Sequence, residues 1–232
     1  HHRRLTYQTF HERIARAANM LDSLGVSAGD TVAVFDWDSH RYLECLFSIP
    51  MLGAVLHTVN IRLSPEQILY TMNHAADKVV LVHRDFLPLI ETIVDRIQTV
   101  ATWVLLSDDA VDVESPVTLA GEYETLLEAA DDNRSFLDFD ENTRATTFYT
   151  TGTTGDPKGV CFSHRQLVIH TLGQVAALAS PASQGCFHNS DVYMPITPMF
   201  HVHAWGIPYM ATLLGVKQVY PGRYDPSTLI TL

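Results

Sequence analysis

Apolar and polar positions alternate along this chain in two rhythms, one helical and one extended. From Thr6 to Leu24, Phe10, Ile14, Ala17, Leu21 and Leu24 recur at steps of three and four, which predicts an amphipathic helix stopped by Gly25. Gly29 and Asp30 turn the chain into Thr31–Asp36, which reads as a strand. His40–Leu52 follows as a helix and Val55–Asn60 as the next strand. Ser64 as N-cap, Pro65 in the first helical position and Gln67 placed to close a capping box mark another helix start. Lys78–His83 then reads as a strand, Asp85–Ile97 as a helix and Trp103–Ser107 as a strand. This succession predicts an α/β fold of parallel βαβ units, with sheets flanked by helices.

The second half is less regular. Residues 108–116 are acidic and aperiodic, and a short helix is expected over Tyr123–Ala130. Asp131–Asn142, polar and acidic, is the expected joint between two subdomains. Strands are expected at Thr146–Thr150, Val160–Phe162, Val192–Ile196 and Lys217–Tyr220, with helices from Ser163 and over Trp205–Leu214. Asp225–Leu229 reads as a helix just beginning, so the chain is expected to be incomplete.

Composition narrows the function. With 26 acidic against 15 basic side chains the net charge is −11, which repels nucleic acid and anionic membrane surfaces. The most membrane-like stretch, Tyr42–Val59, is interrupted by Glu44, Pro50, Gly53 and His57, so no transmembrane segment is expected. Cys45, Cys161 and Cys186 form no C-x-x-C pair; reduced thiols in a cytoplasmic protein are expected. His1 and His2 are given no role.

The chemistry concentrates in Tyr149-Thr150-Thr151-Gly152-Thr153-Thr154-Gly155-Asp156-Pro157-Lys158-Gly159, between two strand-like runs. Glycines let backbone amides approach a ligand, successive amides form an anion nest, and threonine hydroxyls add donors. Lys158 supplies a mobile positive charge, so the loop suits a polyphosphate. It is not a Walker A loop, because Lys158 is followed by Gly159 instead of Ser or Thr. Asp36 and Asp38, placed after a strand, could mimic the ribose-binding acid of a dinucleotide fold, but no G-x-G-x-x-G precedes them. His201-x-His203 lacks a third metal ligand in the sequence.

Tyr149–Val160 resembles the signature loop of the adenylate-forming superfamily, which comprises acyl-CoA synthetases, luciferases and peptide-synthetase adenylation domains. Thr151 stands where serine is usual and keeps the hydroxyl. Val55–Pro65, Ser163-His164-Arg165 and Pro198–Trp205 are similar to segments of the medium- and long-chain fatty-acyl-CoA synthetases. The resemblance implies that residues 1–232 are a partial N-terminal AMP-binding domain, without the C-terminal domain. It implies ATP, Mg²⁺ and coenzyme A as co-substrates or cofactors, a carboxylic acid substrate (a fatty acid, or alternatively a short, aryl or sulfur-containing acid) and a homodimer.

By that resemblance Thr150 ligates Mg²⁺, while Thr151, Gly152, Thr153, Thr154, Gly155 and Lys158 surround the phosphates. His201 lies beside the carboxylate and α-phosphate, with Lys158 as the second catalytic residue. Val202 approaches the nucleotide, and Trp205 gates an acyl tunnel. On helical position alone, Trp205 reads as plain core. The family's downstream Mg²⁺ glutamate, ribose aspartate and C-terminal lysine are not found here, so the isolated 232 residues are expected to be inactive or nearly so. A non-catalytic nucleotide-binding or dimerisation module is the reading from another class.

Overall fold

The computed structural model describes residues 3–109, 113–150, 155–179 and 187–231. Thr6 caps α1 (Tyr7–Ser23) by accepting the Thr9 amide, and the predicted stripe of Phe10, Ile14, Ala17 and Leu21 is buried. After β1 (Thr31–Phe35), Ser39 caps α2 (His40–Met51), which leads to β2 (Val55–Thr58). The capping box of Ser64 and Gln67 starts α3 (Pro65–Ala75), and β3 (Asp77–His83) follows.

The single helix expected over Asp85–Ile97 is broken into pieces. Only α4 (Leu87–Glu91) is α-helical, between 3₁₀ turns at Arg84–Phe86 and Val94–Arg96. Pro88, lacking an amide hydrogen, suits the first turn of a helix and not its interior. Then come β4 (Thr102–Leu106), β5 (Leu119–Glu122), α5 (Tyr123–Ala129), β6 (Arg144–Thr150), β7 (Lys158–Ser163) and α6 (His164–Leu178). The sequence pattern does not predict β5; the strand is short, half-buried and lies at a sheet edge, so it carries little apolar signal.

Seven strands form one sheet in the order β5-β4-β3-β1-β2-β6-β7. Every neighbouring pair is parallel except β6 and β7, which form an antiparallel hairpin. β7 starts two residues earlier than expected, at Lys158. Residues 131–142 carry no helix or strand, and the strands on either side of them share this sheet. A second, two-stranded parallel sheet pairs β8 (Val192–Tyr193) with β9 (Lys217–Gln218).

Both faces of the large sheet are covered, as parallel sheets require. Val32, Val34, Leu56, Val79, Leu81 and Val104 pack with α1 and α2 residues on one face. Their alternates Ala33, Phe35, Val80, Val82 and Leu105 pack with Ile68, Met72 and Ile90 on the other. Each large apolar side chain among them contributes about 1.5–3 kcal/mol on burial.

Charge is also buried between α1, α2 and α5. Glu44, fully buried, accepts from Arg13 Nε at 2.6 Å and Nη2 at 3.1 Å, and from the Tyr123 hydroxyl at 2.8 Å. Glu124 adds bonds to Arg13 Nη2 and His40 Nε2, both at 2.9 Å. Removing one partner strands a charge in a low-dielectric interior. Arg13→Met is expected to destabilise the fold by about 3–5 kcal/mol, whereas Arg13→Met combined with Glu44→Leu recovers most of that loss, as read by denaturant titration.

Candidate functional site

Two segments converge at the carboxyl edge of the sheet. The first is the base of the β6–β7 hairpin, where Thr150 and Lys158 are cross-strand neighbours and both side chains are exposed. Gly155, at φ 98°, occupies a conformation that favours glycine. Thr151, Gly152, Thr153 and Thr154 lie outside the described residues.

The hairpin base is fixed from within. Tyr149, one residue before Thr150, is buried, and its hydroxyl meets His74 Nδ1 of α3 at 2.7 Å. Its ring packs edge-on to His57 of β2 at 5.1 Å, and His57 Nδ1 lies 2.9 Å from the buried Asp77 carboxylate. Burial pushes the Tyr149 phenol and the Asp77 carboxyl up. Gly159 faces Tyr149 across the hairpin, and a Cβ there would stand 3.4 Å from the ring. The glycine leaves room for the aromatic.

The second segment is Pro198–Trp205. The Thr58 hydroxyl, at the end of β2, donates to the Phe200 carbonyl at 3.1 Å. The Met199 amide donates to Asp38 Oδ1 at 2.8 Å. Thr58 is also the register partner of Phe148 in β6, two residues before Thr150, so the second segment hangs beside the strand that carries the first.

His201 itself is exposed, with its ring 5.8 Å from that of Trp205 in an edge-on arrangement. The next four residues, Val202, His203, Ala204 and Trp205, have φ values of 49°, 54°, 50° and 61°. They form a left-handed turn, a handedness that costs L-residues about 1–2 kcal/mol each. The helix expected from Trp205 therefore begins at Ile207, as α8 (Ile207–Leu213), after the short turn α7 (Val202–Trp205).

Surrounding contacts hold this strained turn. The Trp205 carbonyl accepts from α6, from His170 Nε2 at 3.1 Å and Gln174 Nε2 at 2.6 Å. The His203 ring is buried against Phe148 at 5.6 Å, Phe162 at 6.0 Å and Tyr209 at 6.3 Å. Burial, reinforced by His170, pushes His203 down to about 4, and its Nε2 has no hydrogen-bond partner among the described residues. Trp205 is 56% exposed, so it is not core. Val202 is half-buried.

The structure thus brings Thr150, Lys158, His201, Val202 and Trp205 to one edge. Sequence reasoning assigns no such role to the groups that hold them there, namely Thr58, His74, Tyr149 and above all Asp38. In the sequence Asp38 offers only an incomplete dinucleotide signal. A cleft of about 780 Å³ lies elsewhere, between the start of α1 and residues 215–222. It contains none of the sequence-predicted site residues.

The architecture is a mostly parallel sheet wrapped by helices, with the β6–β7 hairpin and a histidine segment at its carboxyl edge. The chain belongs to the family of AMP-binding enzymes, whose family model matches residues 1–232. It is 44% identical over 230 residues to a long-chain-fatty-acid–CoA ligase of Thermus thermophilus, covering 99% of this chain and 40% of that protein. It is 39% identical over 210 residues to a medium-chain-fatty-acid–CoA ligase of Ectopseudomonas oleovorans, covering 90% of this chain and 38% of that protein. In fold it matches the inhibitor-bound N-terminal domain of FACL13 from Mycobacterium tuberculosis, with a TM-score of 0.83 at 23% identity, covering 99% of this chain and 53% of that one. The chain therefore spans about 40% of the length of the curated ligases it matches.

The left-handed turn yields a direct test. Gly206, at φ 76°, closes it, and a Cβ there would fall 2.9 Å from His170 Cδ2. Gly206→Ala is expected to cost about 2–3 kcal/mol, combining backbone strain with a weakened His170 bond. Thermal unfolding together with Trp205 fluorescence would register both effects.

Proposed function

We propose that the complete protein is an ATP-dependent fatty acid–CoA ligase. A carboxylate oxygen attacks the α-phosphorus of ATP, pyrophosphate leaves, and acyl-AMP forms. The thiol of coenzyme A then displaces AMP to give the thioester. The first step joins two anions, so it requires preorganised positive charge and amide donors at the phosphates. The observation that carries this reading is the pairing of Thr150 with Lys158 at the hairpin base, beside the His201 segment.

In this reading Lys158 neutralises the polyphosphate and Thr151–Gly155 line it. His201 orients the carboxylate against the α-phosphate, and Val202 borders the nucleotide. Trp205, exposed beside His201, covers the entrance for the acyl chain. Among the described residues no group of three or more His, Cys, Asp or Glu side chains could hold a metal. The exposed Thr150 hydroxyl suits Mg²⁺ that arrives with the nucleotide, since this ion keeps phosphate and water ligands and needs few from protein. Bound there, the ion would supply charge neutralisation at the phosphates.

The named activities of the two ligase relatives support a fatty acid as substrate. A shorter, sulfur-containing acid is the second reading, favoured by 37% identity over 207 residues to a 3-methylmercaptopropionyl-CoA ligase of Ruegeria lacuscaerulensis. We also propose a cytoplasmic homodimer. The free thiols of Cys45 and Cys161 suit a reducing compartment, and no described helix is long and apolar enough to cross a membrane. Sedimentation of the complete protein at two concentrations should show a dimer.

With the complete enzyme, ATP–pyrophosphate exchange should rise with acid chain length before falling. A peak at short or aromatic acids would replace the fatty-acid reading. Lys158→Ala should lower exchange by about 100-fold or more, the typical loss for one charge-stabilising donor. Unchanged nucleotide binding in that variant would favour a silent nucleotide-binding or dimerisation module.

A further inference from the structure

Asp38, 2% exposed, sits just past β1 and joins segments that are remote in sequence. Its Oδ1 accepts the Met199 amide at 2.8 Å across 161 residues, and its Oδ2 accepts the Tyr224 hydroxyl. Its backbone carbonyl accepts the Gly222 amide at 2.8 Å. The Tyr224 hydroxyl also lies 3.0 Å from the Pro195 carbonyl, which gives it a second acceptor. A cavity of about 230 Å³, lined by Asp38, Arg62, Phe200 and Tyr224 among others, opens beside the carboxylate.

We propose that Asp38 is a positioning residue for the adenylation step. Its ionised carboxylate clamps Met199 and Tyr224 and so sets where His201, two residues further on, presents its ring. When the carboxyl is protonated it can donate to the Tyr224 oxygen. The phenol then turns to the Pro195 carbonyl, and the segment loosens. This role rests on the ligase reading of the site.

The electrostatics fit a group kept for position at a cost to the fold. Burial pushes the Asp38 carboxyl up to about 6, and Asp36 acts in the same direction. The Tyr224 hydroxyl, the Met199 amide and Arg62 pull it down without cancelling that rise. Tyr42 from α2, Tyr193 from β8 and Tyr220 beyond β9 also face it, and all three are raised, chiefly by burial. An ordinary aspartate titrates near about 3.9, so between about pH 4 and pH 6 the native state binds more protons here than the unfolded chain. Stability from this group therefore falls as pH rises through that window. The ionised form that makes the clamp is the form the fold tolerates least. A purely structural anchor would show the reverse.

The test uses the complete enzyme and Asp38→Asn, a neutral isostere of the protonated acid. Its melting temperature at pH 8 should equal or exceed that of wild type. Its maximal rate of pyrophosphate exchange should fall about 10-fold, the rate equivalent of weakening one hydrogen bond to a charged group, with the KM for ATP changed less than about twofold. The acid limb near pH 6 in the wild-type rate should vanish, leaving the variant at the wild-type acid level throughout. Amide hydrogen exchange, corrected for intrinsic pH dependence, should be faster at Met199–Trp205 in the variant at pH 8, as in wild type at pH 5. Tyr224→Phe, which keeps the carboxylate, should accelerate amide exchange over the same residues.

An acid limb that survives in Asp38→Asn belongs to another group and overturns the proposal. So does unchanged amide exchange at Met199–Trp205 in both variants. If wild type activates no acid while amide exchange responds as described, the ligase reading fails and the clamp stands. If the enzyme is active but its amide exchange ignores both substitutions, the clamp fails and the ligase reading stands.

Discussion

The parallel register of β2 against β6 is the constraint on which the carboxyl edge depends. It sets Thr58 opposite Phe148, so that the last residue of one strand and the approach to Thr150 on the other end at the same level. The Thr58 side chain then carries Phe200, 142 residues away, at that level too. A slip of one residue would turn Thr58 to the opposite face of the sheet and release Phe200. Because β6 also begins the β6–β7 hairpin, the same register places Lys158.

The molecule distributes its energy unevenly. The two apolar layers flanking the sheet supply the stabilisation, through side chains that are largely removed from water. The carboxyl edge offsets part of it, through four consecutive left-handed residues, a His203 nitrogen with no partner among the described residues, and the buried carboxylates of Asp36 and Asp38. Strain and desolvated charge of this kind persist only where the surroundings over-determine the geometry. Here the surroundings are α6 beside Trp205, the aromatic rings around His203, and the strand ends that grip Met199 and Phe200.

Much of this is legible in the chain. Local chemistry marks α1 through its apolar stripe and α3 through its capping box, and β1 to β4 are placed to within two residues, because these elements obey their own periodicities. The Gly/Thr/Lys loop stands out from the rest of the chain through residue type alone. Other features are invisible for physical reasons. The edge strand β5 buries too little to leave an apolar pattern. The handedness of residues 202–205 is imposed by α6 and by aromatic partners, and nothing in Val-His-Ala-Trp itself demands it. Nothing in the sequence around Asp38 and Thr58 points to Met199 and Phe200, the partners to which the sheet brings them.

One consequence follows from having His203 and Asp38 on the two sides of a single segment. The histidine resists taking up a proton until about pH 4, whereas the aspartate holds on to one up to about pH 6. Over the interval they share, acidification weakens the fold through the first and strengthens it through the second, by linkage terms of opposite sign. Mild acid therefore changes the ionisation of the segment's anchor while the buried histidine opposes the stability gained there, which separates loss of alignment from loss of the fold.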